Sequence, residues 1–435
     1  MEWYTVGIGL FCLLMVLISI GLPIPFALAA ASLPFLWTIQ DFETSLVSSE
    51  LKLWGVWVDY ILLAVPLFVL LGELIARSNI GPNLYLFMHK GVRIRGSAAY
   101  GSIGACAGFG AVCGSSMVGA LTIGGVALPE MLKLGYGKRL SAGVLAAGGT
   151  LSVLIPPSLI LLFYGIVTDK SIGELFIAGA VPGLILVTLF VIVVLIWTRL
   201  YPNDVPTAEG GDKLPIGLIL SAVLPVALIG FVITAAIYTG VATPTEAAAM
   251  SAVYAFVIAV FVYKDLTIRD VPRVLLGSAS MSAMILYIIT NAVLFSFLMT
   301  SEQIPQQLTA WMLDKGVNWI TFLIFVNILL LVAGNVMEAS SIVLITAPIL
   351  FPIAVKLGIH PVHLGILMVV NMEVGMCHPP VGLNLYVASG IAKMGITELT
   401  IAVWPWLLTM LGFLVVVTFV PEISLWLPRT LGMLR

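Results

Sequence analysis

The chain has 435 residues, of which 61% are hydrophobic and only 9% charged, with a mean hydropathy of +1.15 and a net charge of −2. Soluble domains carry about a quarter charged residues, so a water-soluble globular fold is excluded and an all-α polytopic membrane protein is predicted. The net charge says nothing about nucleic-acid or acidic partners; no nucleic-acid partner is expected.

A spanning helix needs roughly 20 apolar residues. Spans are predicted near 3–21, 23–40 and 53–76, then at 141–167, 173–198, 215–237, 244–263 and 275–300, and finally at 361–391 and 399–420. The first begins at Trp3 behind Glu2, with no basic residue ahead of it, so it is expected to be a span and not a cleaved signal. Two further blocks, 97–130 and 318–355, are too long and too rich in small residues for one simple helix. The four cysteines (Cys12, Cys106, Cys113, Cys377) all lie in apolar stretches without a CxxC pair and read as small hydrophobes.

Charge assigns the sides. Arg77, Lys90, Arg93 and Arg95 precede the first block; Lys133, Lys138 and Arg139 follow it. The positive-inside rule places both flanks in the cytoplasm. A segment with both ends inside enters and returns, so 97–130 is predicted to be a re-entrant hairpin with Gly114-Ser115-Ser116 near its tip. Lys264, Arg269 and Arg273 place the 264–273 loop inside as well. The second block is flanked by Glu302, Asp314, Lys315 and Lys356, without basic excess, and counting puts those flanks outside. Hairpin 318–355 therefore dips in from the opposite face, and both termini fall outside.

Landmarks recur through the chain. Leu134-Gly135 returns as Leu357-Gly358, Pro156-Pro157 as Pro379-Pro380 and Pro182 as Pro405, all at an offset of 223. Glu174-Leu175 matches Glu398-Leu399, Ser115-Ser116 matches Ser340-Ser341, and Gly21 with Pro25 matches Gly240 with Pro244 at nearby offsets. Each half holds five crossings, an odd number, plus one hairpin. The halves 1–199 and 214–435, joined by the cytoplasmic linker 200–213, are thus predicted to be inverted repeats, the pattern of secondary transporters.

Broken backbone at membrane depth is tolerated only where it is buried in protein or lines a cavity. The first half breaks at Gly114-Ser115-Ser116 and again between Gly148-Gly149-Thr150 and Pro156-Pro157-Ser158. Helix N-termini at such breaks suit an anion, and freed carbonyls suit a hard cation such as Na⁺. The bland readings are small-residue helix packing and a proline kink satisfied by neighbours. The second half is more polar, with Gly334, Asn335, Glu338, Ser340 and Ser341 in the hairpin. Asn371, Glu373, Gly375, His378, Pro379, Pro380, Gly382 and Asn384 follow in the broken span. Carboxylates at membrane depth are functional hypotheses by default; Glu338 and Glu373 hold a cation or proton, or bond backbone donors structurally. His378 is read as a packing histidine, and Thr243-Pro244-Thr245-Glu246 first as a helix start, with a substrate contact at Thr245 the lesser reading. Trp54, Trp57, Trp311, Trp319, Trp404 and Trp406 are read as interface anchors. No P-loop, HExxH or dinucleotide fingerprint is present, so no enzyme is expected and any accumulation must draw on an ion gradient.

Four motifs carry a family resemblance: Cys113-Gly114-Ser115-Ser116, Ile155-Pro156-Pro157-Ser158, Thr243-Pro244-Thr245-Glu246-Ala247-Ala248-Ala249 and Pro379-Pro380-Val381-Gly382-Leu383-Asn384. Over nearly its whole length the chain resembles the large membrane subunit of tripartite ATP-independent periplasmic (TRAP) transporters, DctM type. The resemblance implies a bacterial inner-membrane location, a small four-helix membrane subunit as partner, and a periplasmic substrate-binding protein that delivers organic anions. It also implies Na⁺-driven uptake and an elevator mechanism, with no organic cofactor. Carried onto this sequence, one cation site falls on Ser115, Ser116, Gly149, Leu154 and Pro156, and the other on Asn335, Glu338, Gly375, Cys377 and Pro379. Substrate ligands are expected among Ser115, Ser116, Thr150, Asn335, Ser340 and Asn384. Met337-Glu338-Ala339-Ser340-Ser341 looks like the C4-dicarboxylate branch, with Ala339 where a proline commonly follows the glutamate. The rivals are a stand-alone Na⁺/dicarboxylate symporter with similar hairpins, which needs no binding protein, and an ion channel, which passes current without saturable uptake.

Overall fold

The computed structural model describes residues 3–39, 41–91, 94–206, 215–335, 337–379 and 382–434. Arg93, residues 207–213 of the linker, and Pro380 and Val381 of the second double-proline motif lie outside them. All regular secondary structure among the described residues is helical.

Helices Trp3–Ser19 and Ile24–Ile39 come first, followed by Phe42–Trp57 and a bent continuation through Tyr60–Leu63 into Ala64–Ala76. The short helix Ile80–Gly91 leads into a pair, Ser97–Cys113 and Ser116–Lys133. An interrupted helix follows, Lys138–Leu154 and Leu159–Thr168, and then the long helix Ile172–Leu200. Past the linker the succession is similar: Ile216–Tyr238, Pro244–Val262 and Val271–Ser301, then the short Ile304–Asp314. The pair Trp319–Gly334 and Ala339–Lys356 precedes the interrupted Pro361–Cys377 and Leu383–Ala392, the long Ile396–Phe419 and a closing Glu422–Thr430.

The first pair is an antiparallel hairpin. Gly114 and Ser115 alone join its arms, and at the far end Ser102 Oγ lies 3.6 Å from Met131 Sδ. Both open ends meet one loop. Arg95, ahead of the first arm, donates to the carbonyls of Pro202 and Val205, the latter at 3.0 Å. Gly137, after the second arm, donates its N–H to the Asp204 carbonyl at 2.8 Å. The two arms therefore leave from and return to one end of the helix pair.

Small residues set each hairpin against its broken helix at backbone distance. A Cβ on Gly110 would come within 2.6 Å of Ser152 Cα, and one on Gly149 within 2.7 Å of Ala120 Cβ. In the second half, a Cβ on Gly334 would reach Gly375 Cα at 3.0 Å. Without a hydrophobic force between helices in lipid, such close packing is what holds them together.

Several expectations need correction. The span 53–76 is two helices, because Asp59 ends Phe42–Trp57 and accepts the Ile61 N–H at 2.9 Å to begin the next, with a 53° bend between them. Asp41 starts Phe42–Trp57 by accepting the Thr44 N–H at 2.9 Å. Ile80–Gly91, Ile304–Asp314 and Glu422–Thr430 were not expected; they are short and mixed in polarity, so hydropathy does not mark them. Trp406 is no interface anchor. It is fully buried, edge-on to Phe190 at 5.5 Å, in space left by Gly143. By length and hydropathy, seven described helices are able to cross a membrane, or eight if the bent pair is one span. Trp3–Ser19, Ile24–Ile39 and the split Pro361–Cys377 with Leu383–Ala392 are apolar but shorter.

Candidate functional site

The breaks arise locally. Pro156 and Pro157 have no N–H, so the Ser152 and Val153 carbonyls lose their helical donors. The helix stops at Leu154, and a new one begins when Ser158 Oγ accepts the Leu161 N–H at 3.3 Å. The Pro156–Pro157 peptide is cis. Gly114 (φ +65°) seats the tip of the first hairpin on this break: a Cβ there would meet the Pro157 carbonyl at 2.7 Å. In the second half, Gly382 (φ +38°) folds the break so tightly that a Cβ would meet the Met376 and His378 carbonyls at 2.9 Å. Asn335 Oδ1 and His378 Nδ1 lie 3.0 Å apart and tie the second hairpin to its own break.

The two half-sites touch. Asn384, in the first turn after the second break, donates through Nδ2 to Ser116 Oγ at 2.6 Å and to the Ala146 carbonyl at 3.3 Å. Cys377 Sγ donates to the same Ala146 carbonyl at 3.2 Å.

Around this junction lies a cavity of about 720 Å³. First-turn residues of five helices line it: Ile24 and Pro25, Ser116 and Met117, Leu159 and Ile160, Ala339 and Ser340, Leu383 and Asn384. Helix N-termini carry unpaired N–H groups and about half a positive charge each. Much of the remaining lining is apolar, with Phe26, Met281, Met284 and Tyr287; Phe26 and Tyr287 meet edge-on at 5.2 Å. Two carboxylates, Glu73 and Glu338, line the cavity, and no Lys, Arg or His does so among the described residues. Glu338 accepts from the Ser340 hydroxyl, whereas Glu73 pairs with Arg77.

Comparison with known proteins decides the family. The profile described as "Tripartite ATP-independent periplasmic transporter, DctM component" matches residues 11–423. The chain belongs to the DctM family of TRAP transporters. It is 51% identical to the C4-dicarboxylate TRAP transporter large permease protein DctM of Rhodobacter capsulatus, over 98% of this chain and 99% of that one. It is 42% identical to the protein of the same description from Pseudomonas aeruginosa, over 91% and 93%. Among solved structures, the Alcanivorax borkumensis YdaH transporter superposes with a TM-score of 0.61 at 17% identity, covering 86% of this chain and 88% of that one, a likeness of fold. The chain is a transporter permease, a multi-span membrane protein and not an enzyme.

Within this DctM chain, Ser115, Ser116, Glu338, Ser340 and Asn384 all line the cavity. The others lie elsewhere. Thr150 Oγ1 bonds the Ala147 carbonyl at 2.8 Å inside its own helix and does not face the cavity. The Leu154 carbonyl is turned to Gly179, where a Cβ would reach it at 2.6 Å. Gly149 packs against Ala120, Gly375 against Gly334, and Pro156 and Pro379 sit in the two breaks. Asn335 Oδ1 is bonded to His378 Nδ1. Glu373 is fully buried off the cavity with neither oxygen hydrogen-bonded. Thr243 and Glu246 form a capping box, and Thr245 Oγ1 reaches the Tyr60 carbonyl at 3.4 Å, away from the cavity. Sequence reasoning missed Glu73 and the Phe26–Tyr287 wall. Glu73 had a signal, a lone carboxylate in the apolar run 64–76; the aromatic wall had none.

Proposed function

We propose that this chain is the large subunit of a Na⁺-coupled importer of a C4-dicarboxylate. It works beside a small four-helix membrane subunit in the bacterial inner membrane and takes substrate from a periplasmic binding protein. The relatives described above, both C4-dicarboxylate permeases, support the substrate class. The observation that carries the coupling is the charge of the cavity: the Glu338 carboxylate with no basic partner, and no basic lining residue among those described. Helix N-termini attract a dianion but do not neutralise it. Bringing two more negative charges beside Glu338 in a low-dielectric site is costly unless cations enter with them. Ser115, Ser116, Ser340 and Asn384 are the proposed substrate contacts, and the Na⁺ ions travel as co-substrates bound among Glu338, the hairpin tips and the break carbonyls.

The recurring order of elements supports two inverted repeats, with both termini periplasmic and the hairpins and broken helices moving as one elevator against the remaining helices. Among the lining residues, Glu73 stands one helical turn from Arg77, at the start of the stretch that charge assigns to the cytoplasm. The conformation is therefore read as facing inward. Uptake of labelled succinate or malate in proteoliposomes holding both membrane subunits, with binding protein outside, is expected only under an inward Na⁺ gradient. Uptake that persists without Na⁺ rules out the coupling; uptake that persists without the binding protein points to the stand-alone symporter.

A further inference from the structure

We infer that Arg77 is a carboxylate-binding station on the cytoplasmic release path, held in reserve by Glu73. The inference rests on the transport reading above. Glu73 lines the cavity, and Arg77 lies one turn further toward the loop 77–79. Arg77 Nε donates to Glu73 Oε1 at 2.8 Å, and Arg77 Nη2 lies 2.5 Å from the same oxygen. Both guanidinium contacts thus fall on one oxygen, and not in the two-oxygen fork that Arg forms best with a carboxylate.

The surroundings make room for this pair, and among the described residues Arg77 forms its ion pair with Glu73 while Asp270 acts on it through charge alone. Gly277, on Val271–Ser301, lies against it: a Cβ would come to 3.1 Å of Glu73 Oε1 and 3.5 Å of Arg77 Nη2. The nearby acids are engaged elsewhere. Asp265 accepts from the Asn79 backbone N–H at 2.7 Å and from its side chain at 2.5 Å, and Asp270 accepts from the Thr267 N–H at 3.0 Å and hydroxyl at 2.5 Å. The pair is partly exposed, 36% for Arg77 and 26% for Glu73. Partly exposed pairs at i,i+4 are among the weakest ion pairs, so an arriving carboxylate exchanges for Glu73 at little cost.

The exchange solves a problem of release. Without a cation at the mouth, a dicarboxylate leaving the helix N-termini passes Glu73 against like-charge repulsion. Arg77 accepts one substrate carboxylate in a two-oxygen fork, and Glu73 then reclaims Arg77 and lets the substrate go. The two residues therefore act with opposite sign: Arg77 holds, Glu73 displaces.

The test uses proteoliposomes of the two-subunit membrane complex and reads the half-saturating succinate concentration for exchange from the cytoplasmic face. Arg77→Gln is expected to raise it about tenfold, and Arg77→Lys, which keeps the charge without the fork, by less. Glu73→Gln is expected to lower it several-fold and to slow maximal exchange, because the substrate is no longer displaced. Shifts of both Gln variants in one direction, or no shift beside normal wild-type exchange, mean that the pair only braces the helix and overturn this inference alone. A wild-type complex that exchanges no dicarboxylate overturns the transport reading as well.

Discussion

Asn384 and Ser116 are 268 positions apart, yet Asn384 Nδ2 donates to Ser116 Oγ across 2.6 Å. The bond joins the first hairpin to the second broken helix and stands at the edge of the cavity, so it reports the arrangement of both half-sites. A net hydrogen bond is worth about 1 kcal/mol, and a buried group left unpaired costs about 1–3 kcal/mol. Asn384→Ala is therefore expected to raise the half-saturating substrate concentration in uptake assays roughly tenfold. Combined with Ser116→Ala, the losses should be less than additive; full additivity would show that the two act independently. Glu338 is a different case, since its contribution is charge. Glu338→Gln keeps the shape and the Ser340 contact, and the Na⁺ concentration for half-maximal uptake should rise by roughly an order of magnitude, the loss of about 1.4 kcal/mol of cation binding. An unchanged Na⁺ titration would leave Glu338 as a helix-terminal residue only.

At the scale of elements, the hairpins stand where glycine permits. Gly110 faces Ser152 across a gap that a Cβ would close to 2.6 Å, and the obstacle is backbone that cannot rotate away. Gly110→Ala should lower the melting temperature in detergent, since overpacking of this kind costs about 1–3 kcal/mol. Gly125, on the second arm of the same hairpin, has open space where a Cβ would stand, with nothing within 4 Å. Gly125→Ala should leave the melting temperature unchanged or raise it, because alanine favours a helix over glycine by up to about 1 kcal/mol. Equal effects of the two substitutions would mean that the hairpin does not seat on the broken helix through Gly110. The same packing explains why Trp406 is inside: Gly143 leaves the space, and Ile396–Phe419 packs there and not at the lipid boundary.

For the whole molecule, the open ends of the first hairpin meet the same loop, through Arg95 to Pro202 and Val205 and through Gly137 to Asp204. Cysteines introduced at Lys90 and Lys133, one on either side of the hairpin, should both react with an impermeant thiol reagent from the cytoplasmic face. Labelling from opposite faces would mean that 97–130 crosses the membrane, and would remove the basis for inverted halves. The element order repeats on either side of the linker, each half with one hairpin and one interrupted helix. Where both hairpin tips converge, one cavity forms between them.

The sequence by itself determined the membrane class and marked the two helix pairs and both interrupted helices. Those features follow from local physics: hydrocarbon excludes charge, and a proline pair removes donors whatever surrounds it. It also placed Ser115, Ser116, Glu338, Ser340 and Asn384 at the breaks, because polar groups at membrane depth are conspicuous. Only the tertiary structure decided which of them share a cavity. Thr150 and Asn335 read alike with these in the chain, but one bonds within its own helix and the other to His378. Three short helices of mixed polarity, the bend at Asp59 and the burial of Trp406 were likewise not legible. Their reason is the same: each depends on which distant helix packs alongside, and hydropathy carries no record of that neighbour.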